Sequence, residues 1–390
     1  MLESKNSFSL VATTLFGLEE ILAGELKALG AENITVYKRA VGFNGDKRLI
    51  YSANLWCRTA LRILMPIREF DVNNEQDLYN KISLINWQEY LDVKGTLAID
   101  AVVNNSDLTH SKFVAQKTKD AIADQFRNKF GERPSVDLDN PSLRINIHID
   151  KNHCTVALDS SGIPLFKRGY RQATGDAPIN EVLAAGLILL SGWQKDCDFI
   201  DPMCGSGTML IEAAMIANNI APGNYRKIYG FMKWKDYDSA LWNEILKDSY
   251  LQQTEFDYEI YGSDISSRAI EIAKENIKAA GFHKDITLQV CAFDQSHPAS
   301  EKGIIISNPP YGERLQQDDI IAFYKTIGDT LKKNYTGHSA WVISSDIEAL
   351  KFIGLHPSRK IKIFNGQLEC KFVRFDVYEG SKKNTQEENN

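Results

Sequence analysis

The stretch Ile304-Ile305-Ile306-Ser307-Asn308-Pro309-Pro310-Tyr311 joins a short apolar run to an abrupt stop. The three isoleucines show no alternation of apolar and polar residues, which favours a strand covered on both faces, as in a parallel sheet. Two successive prolines have no backbone N–H and cannot continue the hydrogen-bond ladder. The chain is therefore predicted to leave a buried parallel strand at Asn308.

The turn that begins at Asn308 leaves hydrogen-bond acceptors without local partners. Pro309 disfavours the helical conformation for Asn308, and Pro309 and Pro310 donate no hydrogen bond. The side-chain oxygen of Asn308 and the carbonyl of Pro309 could accept both hydrogens of a nucleobase amino group, with Tyr311 stacked on the base. A nitrogen held in this way is a nucleophile. A Pro-Pro turn beside a core tyrosine fits the same four residues, so the motif alone does not decide.

A glycine loop follows an earlier strand. Asp198 to Ile200 reads as a strand, which runs into Asp201-Pro202-Met203-Cys204-Gly205-Ser206-Gly207-Thr208 and a helix from Met209 to Ala217. A strand, a glycine loop and a helix form the first unit of a doubly wound α/β sheet, with a ligand beyond the carboxyl end of the strand. Gly205 and Gly207 would let the backbone approach that ligand. No Lys follows the second glycine and no third glycine completes a dinucleotide fingerprint, and a generic tight turn is the alternative.

Two further predicted strands end in acidic residues. The strand from Tyr258 to Gly262 leads into Ser263-Asp264-Ile265, where Asp264 could accept both hydroxyls of a ribose. Another strand ends in Cys291-Ala292-Phe293-Asp294, which offers an acceptor for an adenine amino group beside an apolar wall. Either aspartate alone could instead cap a helix or close a turn.

The front half predicts two small α+β units. The order β-α-β-β-α-β up to Ile67 is typical of a ferredoxin-like unit. A second unit contains a long helix from Ser111 to Phe130, whose lysines include Lys112 and Lys117 and fit a solvated helix face. Phe166-Lys167-Arg168-Gly169-Tyr170-Arg171 then interleaves cations with aromatics, a combination that suits single-stranded nucleic acid, although a plain linker is the competing interpretation.

The charge of the chain is uneven. The 390 residues carry a net charge of −6, which argues against a protein that coats nucleic acid uniformly. Residues 1–171 hold 22 Lys and Arg against 21 Asp and Glu, a net charge of +1. The remainder holds 23 against 30, a net charge of −7. Contacts with phosphates are therefore expected from the first part.

The apolar runs, the cysteine spacing and two further segments give additional expectations about location, metal binding and structure. No run of eighteen apolar residues and no signal-type start are visible, so a cytoplasmic location and no membrane partner are expected. The six cysteines are scattered without metal-ligand spacing, which predicts neither a metal site nor a disulfide framework. Residues 218–255 form an aromatic insert that could be a lid over the site or a helical appendage. The polar residues 381–390 are expected to be a disordered tail.

Taken together, these strand ends resemble those of the class I S-adenosylmethionine-dependent methyltransferases, in the branch that modifies amino groups. Ser111 to Lys117 and the hairpin leading to Phe166-Lys167-Arg168-Gly169-Tyr170-Arg171 resemble the THUMP RNA-binding module of bacterial ribosomal RNA guanine-N2 methyltransferases. The resemblance implies an α/β fold: a Rossmann-like methyltransferase domain with a mostly parallel seven-stranded sheet and a C-terminal antiparallel hairpin. The implied domains are a ferredoxin-like domain (1–68), a THUMP domain (69–160), the methyltransferase domain (161–380) and the tail (381–390).

The same resemblance implies the site residues. The cofactor would be S-adenosylmethionine, with S-adenosylhomocysteine as product. The implied cofactor-binding residues are Asp201, Pro202, Cys204, Gly205, Ser206, Gly207, Thr208, Asp264, Ile265, Phe293, Asp294 and Asn308. The implied catalytic residues are Asn308, Pro309, Pro310 and Tyr311. The implied RNA-binding residues are Lys112, Lys117, Lys167, Arg168, Tyr170 and Arg171.

The substrate implied by the resemblance is the N2 amino group of a guanosine in large-subunit (23S) ribosomal RNA. The RNA partner would be that rRNA or a ribosome assembly intermediate. Two alternatives stay open: an N6-adenine methyltransferase acting on RNA or DNA, and a non-catalytic RNA-binding or ribosome assembly factor.

Overall fold

The structure is a computed structural model that describes residues 7–108, 110–173, 178–310 and 317–379. The predicted catalytic residue Tyr311 and the predicted tail 381–390 lie outside the described residues. The described residues form two compact units. Within the described residues, the first unit draws on 7–15, 22–167 and 226–251, and the second on 16–21, 168–225 and 252–379.

Strands and helices alternate along most of the chain. The elements up to residue 159 are β1 (Phe8–Thr14), α1 (Glu19–Ala28), β2 (Glu32–Tyr37), β3 (Ala40–Gly45), α2 (Lys47–Trp56), β4 (Ala60–Asp71), α3 (Glu75–Ser83), β5 (Thr96–Asn104), α4 (Ser111–Phe130), β6 (Ser135–Val136), β7 (Leu143–Asp150) and β8 (His153–Asp159). The later elements are α5 (Glu181–Ser191), β9 (Asp198–Asp201), α6 (Thr208–Ala217), α7 (Ser239–Leu251), β10 (Ile260–Asp264), α8 (Ser267–Ala279), β11 (Ile286–Val290), β12 (Gly303–Ser307), α9 (Gln317–Asn334), β13 (Ser339–Ser344), β14 (Pro357–Asn365) and β15 (Leu368–Asp376). None of the helices in these ranges is both long enough and apolar enough to cross a membrane.

The first unit is built on one eight-stranded sheet. Its strand order is β2-β3-β1-β4-β8-β7-β5-β6, and the first four strands keep the ferredoxin-like order predicted from the sequence. The long strand β4 pairs with β1 through Ala60 to Leu64 and with β8 through Leu64 to Asp71. Its register shifts between Pro66 and Arg68, because proline cannot donate to the ladder and a bulge absorbs the loss. The two small units expected from the sequence therefore share a sheet.

The aromatic insert packs within the first unit. The ring of Phe231 stacks on Tyr51 of α2 with centroids 4.2 Å apart, and Trp242 of α7 meets Tyr51 edge-on at 6.2 Å. The backbone N–H of Asp238 donates to the Tyr51 hydroxyl at 3.1 Å. Burying these large rings stabilises the unit. Of the two interpretations left open by the sequence, residues 226–251 follow the helical appendage.

The second unit contains a seven-stranded sheet in the order β11-β10-β9-β12-β13-β15-β14. The first five strands pair in parallel, and β15 and β14 add the antiparallel hairpin. This confirms the predicted α/β fold. Every residue of β12 is buried, as the uninterrupted isoleucine run predicts. Because β11, β10, β9 and β12 are neighbours and parallel, their carboxyl ends lie at one edge of the sheet.

Candidate active site

One cavity of about 600 Å³ lies at the carboxyl ends of these four parallel strands. Asp201 ends β9 and Asp264 ends β10, while Phe293 follows β11 and Asn308 follows β12. Strand pairing fixes this arrangement, since Gly262 of β10 lies opposite Asp201. The volume is within the range of small-molecule sites, roughly 300–1,000 Å³.

Most of the predicted ligand-contacting residues line this cavity. Those that do are Asp201, Pro202, Cys204, Gly205, Ser206, Thr208, Asp264, Ile265, Phe293, Asp294, Asn308 and Pro310. Pro309 is buried and is not among the lining residues. Gly207 is also not among them: it precedes α6 with φ +78°, and a Cβ there would lie 3.2 Å from the Cβ of Ala273. Glycine is therefore required at position 207 for the backbone conformation of the turn and for the close packing of α8.

Asp264 ties the glycine loop to the neighbouring strand. The backbone N–H of Gly205 donates to Oδ2 of Asp264 at 3.0 Å, and the N–H of Ser266 donates to Oδ1 at 2.9 Å. Each carboxylate oxygen keeps a further lone pair for a hydroxyl group. Gly205 has φ +53° and a built Cβ would meet nothing within 4 Å, so conformation rather than crowding requires glycine there.

Asp201 is a buried carboxyl with an unusual affinity for its proton. It is 3% exposed, and its Oδ1 accepts a hydrogen bond of 3.2 Å from the N–H of Met203. Burial raises the pKa of Asp201 to about 8, and the charge of Asp264 adds to the effect. A cationic ligand group beside Asp201 would favour its ionised form.

Asn308 presents a buried acceptor. Its Oδ1 atom is inaccessible to water and accepts no hydrogen bond from the part of the chain that the structure describes. An unsatisfied buried polar atom costs about 1–3 kcal/mol, so natural proteins keep few of them. An amino group that donates to this oxygen would relieve that cost. The position therefore suits the amine-holding role that the sequence predicts.

The apolar wall of the cavity combines the predicted residues Ile265 and Phe293 with others that the sequence did not indicate. Ile265 is 76% exposed although it lines the cavity, and Phe293 forms a buried surface nearby. Phe323 and Ile327 of α9 add to this wall. They belong to an amphipathic helix whose apolar face predicts only core packing, so no signal in the sequence marks them as site residues.

The structure corrects the predicted RNA contacts of Arg168 and Tyr170. Arg168 is 2% exposed and forms an ion pair at 3.3 Å with Glu212, which is completely buried. The hydroxyl of Tyr170, itself 2% exposed, donates to Glu212 at 3.1 Å. An unpaired buried charge is costly, so the three side chains form one internal polar cluster rather than an RNA surface. Lys112 and Lys167 are exposed, and Lys117 is half-buried above the Tyr79 ring; their RNA contacts stay predictions.

Arg171 is bound to the glycine loop rather than displayed to solvent. Its guanidinium donates to Glu181 at 2.8 Å and to the Thr208 hydroxyl at 3.0 Å, with longer contacts of 3.3 Å to Ser206 and to the carbonyl of Ile179. Four acceptors held by one planar fork fix the loop against α5.

The chain belongs to the class I methyltransferases by this combination of sheet, glycine loop and strand-end residues. Its family is that of the RMKL-like methyltransferase domain (UPF0020), whose model matches residues 168–374. A THUMP domain matches residues 72–159, and an RlmL ferredoxin-like domain matches residues 9–64. The family resemblance drawn from the sequence is confirmed.

Three relatives illustrate the similarity. A Synechocystis sp. (strain ATCC 27184 / PCC 6803 / Kazusa) protein named as RNA methyltransferase slr0064 is 40% identical over 369 residues, 94% of this chain and 96% of the relative. The ribosomal RNA large subunit methyltransferase K/L of Syntrophotalea carbinolica (strain DSM 2380 / NBRC 103641 / GraBd1) is 38% identical over 94% of this chain, which spans 53% of that longer protein. The crystal structure of SMU.472, named as a methyltransferase and complexed with SAH, has a TM-score of 0.86 and 31% identity, covering 97% of this chain and 100% of that one.

The cofactor of this family is S-adenosylmethionine, and the cavity fits it chemically. The buried carboxyl of Asp201, whose pKa is raised, could meet a cationic group of the ligand. Asp264 can accept from ribose hydroxyls, while Ile265 and Phe293 offer apolar surface to a planar base.

Asp201 predicts a pH-dependent stability of the cofactor-free protein. Its pKa is raised above the value in the unfolded chain, so its contribution is most favourable below about pH 4 and is lost as the pH rises toward about 8. Asp201→Asn removes the ionisation. We expect the melting temperature of the variant to exceed that of the parent at pH 8, on the order of several degrees, and the difference to shrink at pH 5.

The control for this measurement is Asp196→Asn. Asp196 is exposed, and its hydrogen bond from Lys302 lowers its pKa, so its removal should not stabilise the protein at pH 8. A difference between Asp201→Asn and parent that is equal at both pH values would contradict the assignment.

Arg171 is expected to set cofactor affinity. Arg171→Lys keeps a positive charge beside Glu181, but one ammonium cannot reach the four acceptors held by the guanidinium. Losing the loop contacts should weaken S-adenosylmethionine binding about fivefold, the effect of one to two hydrogen bonds, as measured by titration calorimetry. Lys167→Ala, an adjacent exposed cation, is the control and should bind as the parent does. If Arg171→Lys lowers the melting temperature but leaves the affinity for S-adenosylmethionine unchanged, the role of Arg171 is purely structural.

Proposed function

We propose that this protein transfers a methyl group from S-adenosylmethionine to the N2 amino group of a guanosine in large-subunit ribosomal RNA. The observation that carries the proposal is the position of Asn308, which lines the cofactor cavity with a side-chain oxygen to which no described residue donates a hydrogen bond. An exocyclic amine is the donor that would satisfy it, and an amine positioned there is the nucleophile that methyl transfer needs.

For methyl transfer, the main task of the protein is to align the amino nitrogen with the methyl group. When bound, S-adenosylmethionine supplies a methyl group already activated by its sulfonium. Asn308, which lines the cavity, would accept one amino hydrogen and so orient the nitrogen lone pair toward the cofactor. Asp264 would hold the ribose on the other side of the cavity. The amino nitrogen would take the methyl group as the carbon–sulfur bond breaks, and the methylated nitrogen would then release one proton to solvent. Alignment of this kind lowers the barrier without a strong general base.

RNA as the substrate is supported by the front half of the chain. A THUMP domain precedes the methyltransferase domain, and the relatives named above include an RNA methyltransferase and an rRNA large-subunit methyltransferase. A base in structured RNA must be extruded to reach a cavity at a strand end. We infer that exposed cations such as Lys112 and Lys167, together with Lys117, hold the flanking phosphates. Arg168 and Tyr170 take no part in this.

Adenine N6 is the second candidate for the modified atom. Adenine also presents an exocyclic amine with two hydrogens, and the Asn-Pro-Pro-Tyr motif offers the same acceptors to either base. The choice of guanine follows the family resemblance.

Asn308→Ala tests the catalytic role. Removing the acceptor should lower turnover on unmodified large-subunit rRNA by about 100-fold or more, as seen when one preorganised group at a transition state is lost. Cofactor affinity should change little, because Asp264, Gly205 and the apolar wall remain. The measurement is incorporation of labelled methyl groups, followed by nucleoside digestion to identify the modified base.

The matched control is Ser307→Ala, which deletes a neighbouring buried hydroxyl that does not line the cavity. Its turnover should stay near that of the parent. Full activity of Asn308→Ala would refute the amine-holding role. A parent protein that binds S-adenosylmethionine yet labels no RNA would instead favour a non-catalytic RNA-binding or assembly factor.

A further inference from the structure

The last two strands of the methyltransferase sheet form a basic segment within an acidic part of the chain. The hairpin of β14 and β15, from Pro357 to Asp376, holds five Lys and Arg against two Asp and Glu, a net charge of +3. The rest of residues 172–390 hold 18 against 28, a net charge of −10. The average charge of this half of the chain therefore hides one positive segment.

Strand pairing places three of these cations on one face of the hairpin. Lys362 of β14 lies directly opposite Lys371 of β15, and Lys360 lies opposite Val373. Opposite residues of an antiparallel pair share a face, and so do residues two apart along a strand. We call Lys360, Lys362 and Lys371 the hairpin lysines. The first two are exposed, and Lys371 is half-buried.

The protein neutralises the hairpin lysines only in part. Glu369 pairs with Lys362 at 2.7 Å, whereas Lys360 and Lys371 form no ion pair with any residue that the structure describes. Like charges directly opposite each other destabilise a strand pair, so Lys362 and Lys371 repel across the hairpin. An anionic ligand on this face would relieve that repulsion.

The hairpin lysines lie at the same edge of the sheet as the cavity. The last residue of β12 pairs with Val342 of β13, and Ser344, two residues further along β13, pairs with Lys371. Lys371 and the opposite Lys362 are therefore level with the chain just after Asn308, at the carboxyl ends of the parallel strands. Two strand spacings separate β12 from β15, a lateral distance of roughly 10 Å.

A row of lysines on an exposed strand fits a polyanion better than a single enclosed anion. Each ammonium group is a compact charge that attracts a phosphate without the fixed planar geometry of a guanidinium. Lys360 and Lys362 are two residues apart on the extended strand, roughly 6.6 Å, so their charges can meet successive phosphates of one chain. A base that is extruded into a cavity leaves its flanking backbone at the mouth of that cavity.

We propose that the hairpin lysines bind the phosphate backbone of the RNA substrate beside the extruded base. The inference rests on the proposed function, because it takes RNA as the substrate. Phosphate contacts fix the register and orientation of a nucleic acid without reading its sequence. The hairpin lysines thus hold the nucleotides next to the target at the edge of the sheet where Asn308 lies.

Salt-dependent RNA binding tests the proposal. The double variant Lys360→Ala/Lys371→Ala, called the hairpin variant below, removes the two hairpin lysines that have no ion pair among the described residues. Its affinity for fragments of unmodified large-subunit rRNA should fall on the order of 10-fold at about 0.15 M salt. The slope of log affinity against log salt should fall by roughly 1.4 to 1.8 units, since each phosphate contact contributes about 0.7 to 0.9. Affinity for S-adenosylmethionine should equal that of the parent.

The matched control is Lys332→Ala/Lys333→Ala, which removes two exposed lysines from the last turn of α9. Both double variants change the net charge by the same amount, so a general charge effect would lower both slopes equally, and equal slopes would overturn the proposal. Melting temperatures separate binding from folding. Loss of Lys371 relieves a like-charge pair, so we expect no decrease in the hairpin variant. A lower melting temperature with a parent-like slope would show a purely structural role and refute the RNA contact.

Acetylation footprinting of the parent protein needs no substitution. Modification of lysines by an N-hydroxysuccinimide ester, read by mass spectrometry with and without the rRNA fragments, reports which side chains RNA covers. Lys360 and Lys362 should lose most of their reactivity, while Lys332 and Lys333 should react as they do without RNA. Unchanged reactivity of Lys360 and Lys362 at RNA concentrations that saturate binding would overturn the proposal, even if the hairpin variant does not fold.

The outcome is separable from that of the proposed function. If the parent methylates rRNA while the hairpin lysines stay fully reactive, the hairpin inference fails and the methyltransferase assignment stands. Protected hairpin lysines in a parent protein that labels no RNA would support this RNA-binding surface and refute the proposed function. Protection by a protein partner but not by RNA would overturn the hairpin inference.

Discussion

Parallel pairing of β12 with β9 is the interaction on which the site depends. Ile304 and Ile305 of β12 lie opposite Phe199 and Ile200 of β9. On the other side of β9, Ile260 of β10 pairs with Phe199. Because side chains alternate along a strand, a shift by one residue would turn each buried side chain to the opposite face. The isoleucine run that is buried on both faces of the sheet therefore also fixes where Asn308 emerges relative to Asp201.

The same edge of the sheet concentrates groups that are unfavourable without a ligand. Asp201 holds its proton because it is buried near Asp264, and Asn308 keeps an oxygen that no described residue satisfies. The core of a protein normally avoids such groups, and their clustering at one cavity is typical of a functional site. The hydrogen bonds of Arg171 and Asp264 hold the glycine loop in place around them. Part of the binding free energy of the ligand would be the relief of these costs.

Much of the site could be predicted from local sequence, and the failures share one cause. A glycine loop, a strand-end aspartate and a Pro-Pro turn are each recognisable from a few consecutive residues. Their positions after β9, β10 and β12 could therefore be predicted from the sequence. The partner of Arg168 is Glu212, and the stacking partner of Phe231 is Tyr51, both distant in sequence. The sequence around Arg168 does not show that Glu212 will neutralise this cation inside the fold. For that reason the basic and aromatic segment 166–171 resembled an RNA-binding segment. The wall residues of α9 were missed for the same reason.

The identity of the methylated atom tests the account most directly. Nucleosides from the large-subunit rRNA of a strain lacking this protein, compared with those of its parent strain by mass spectrometry, report that atom without any assumption about the site. The account predicts loss of N2-methylguanosine, restored by the parent gene but not by the Asn308→Ala variant, with N6-methyladenosine unchanged. Loss of N6-methyladenosine with N2-methylguanosine intact would contradict it.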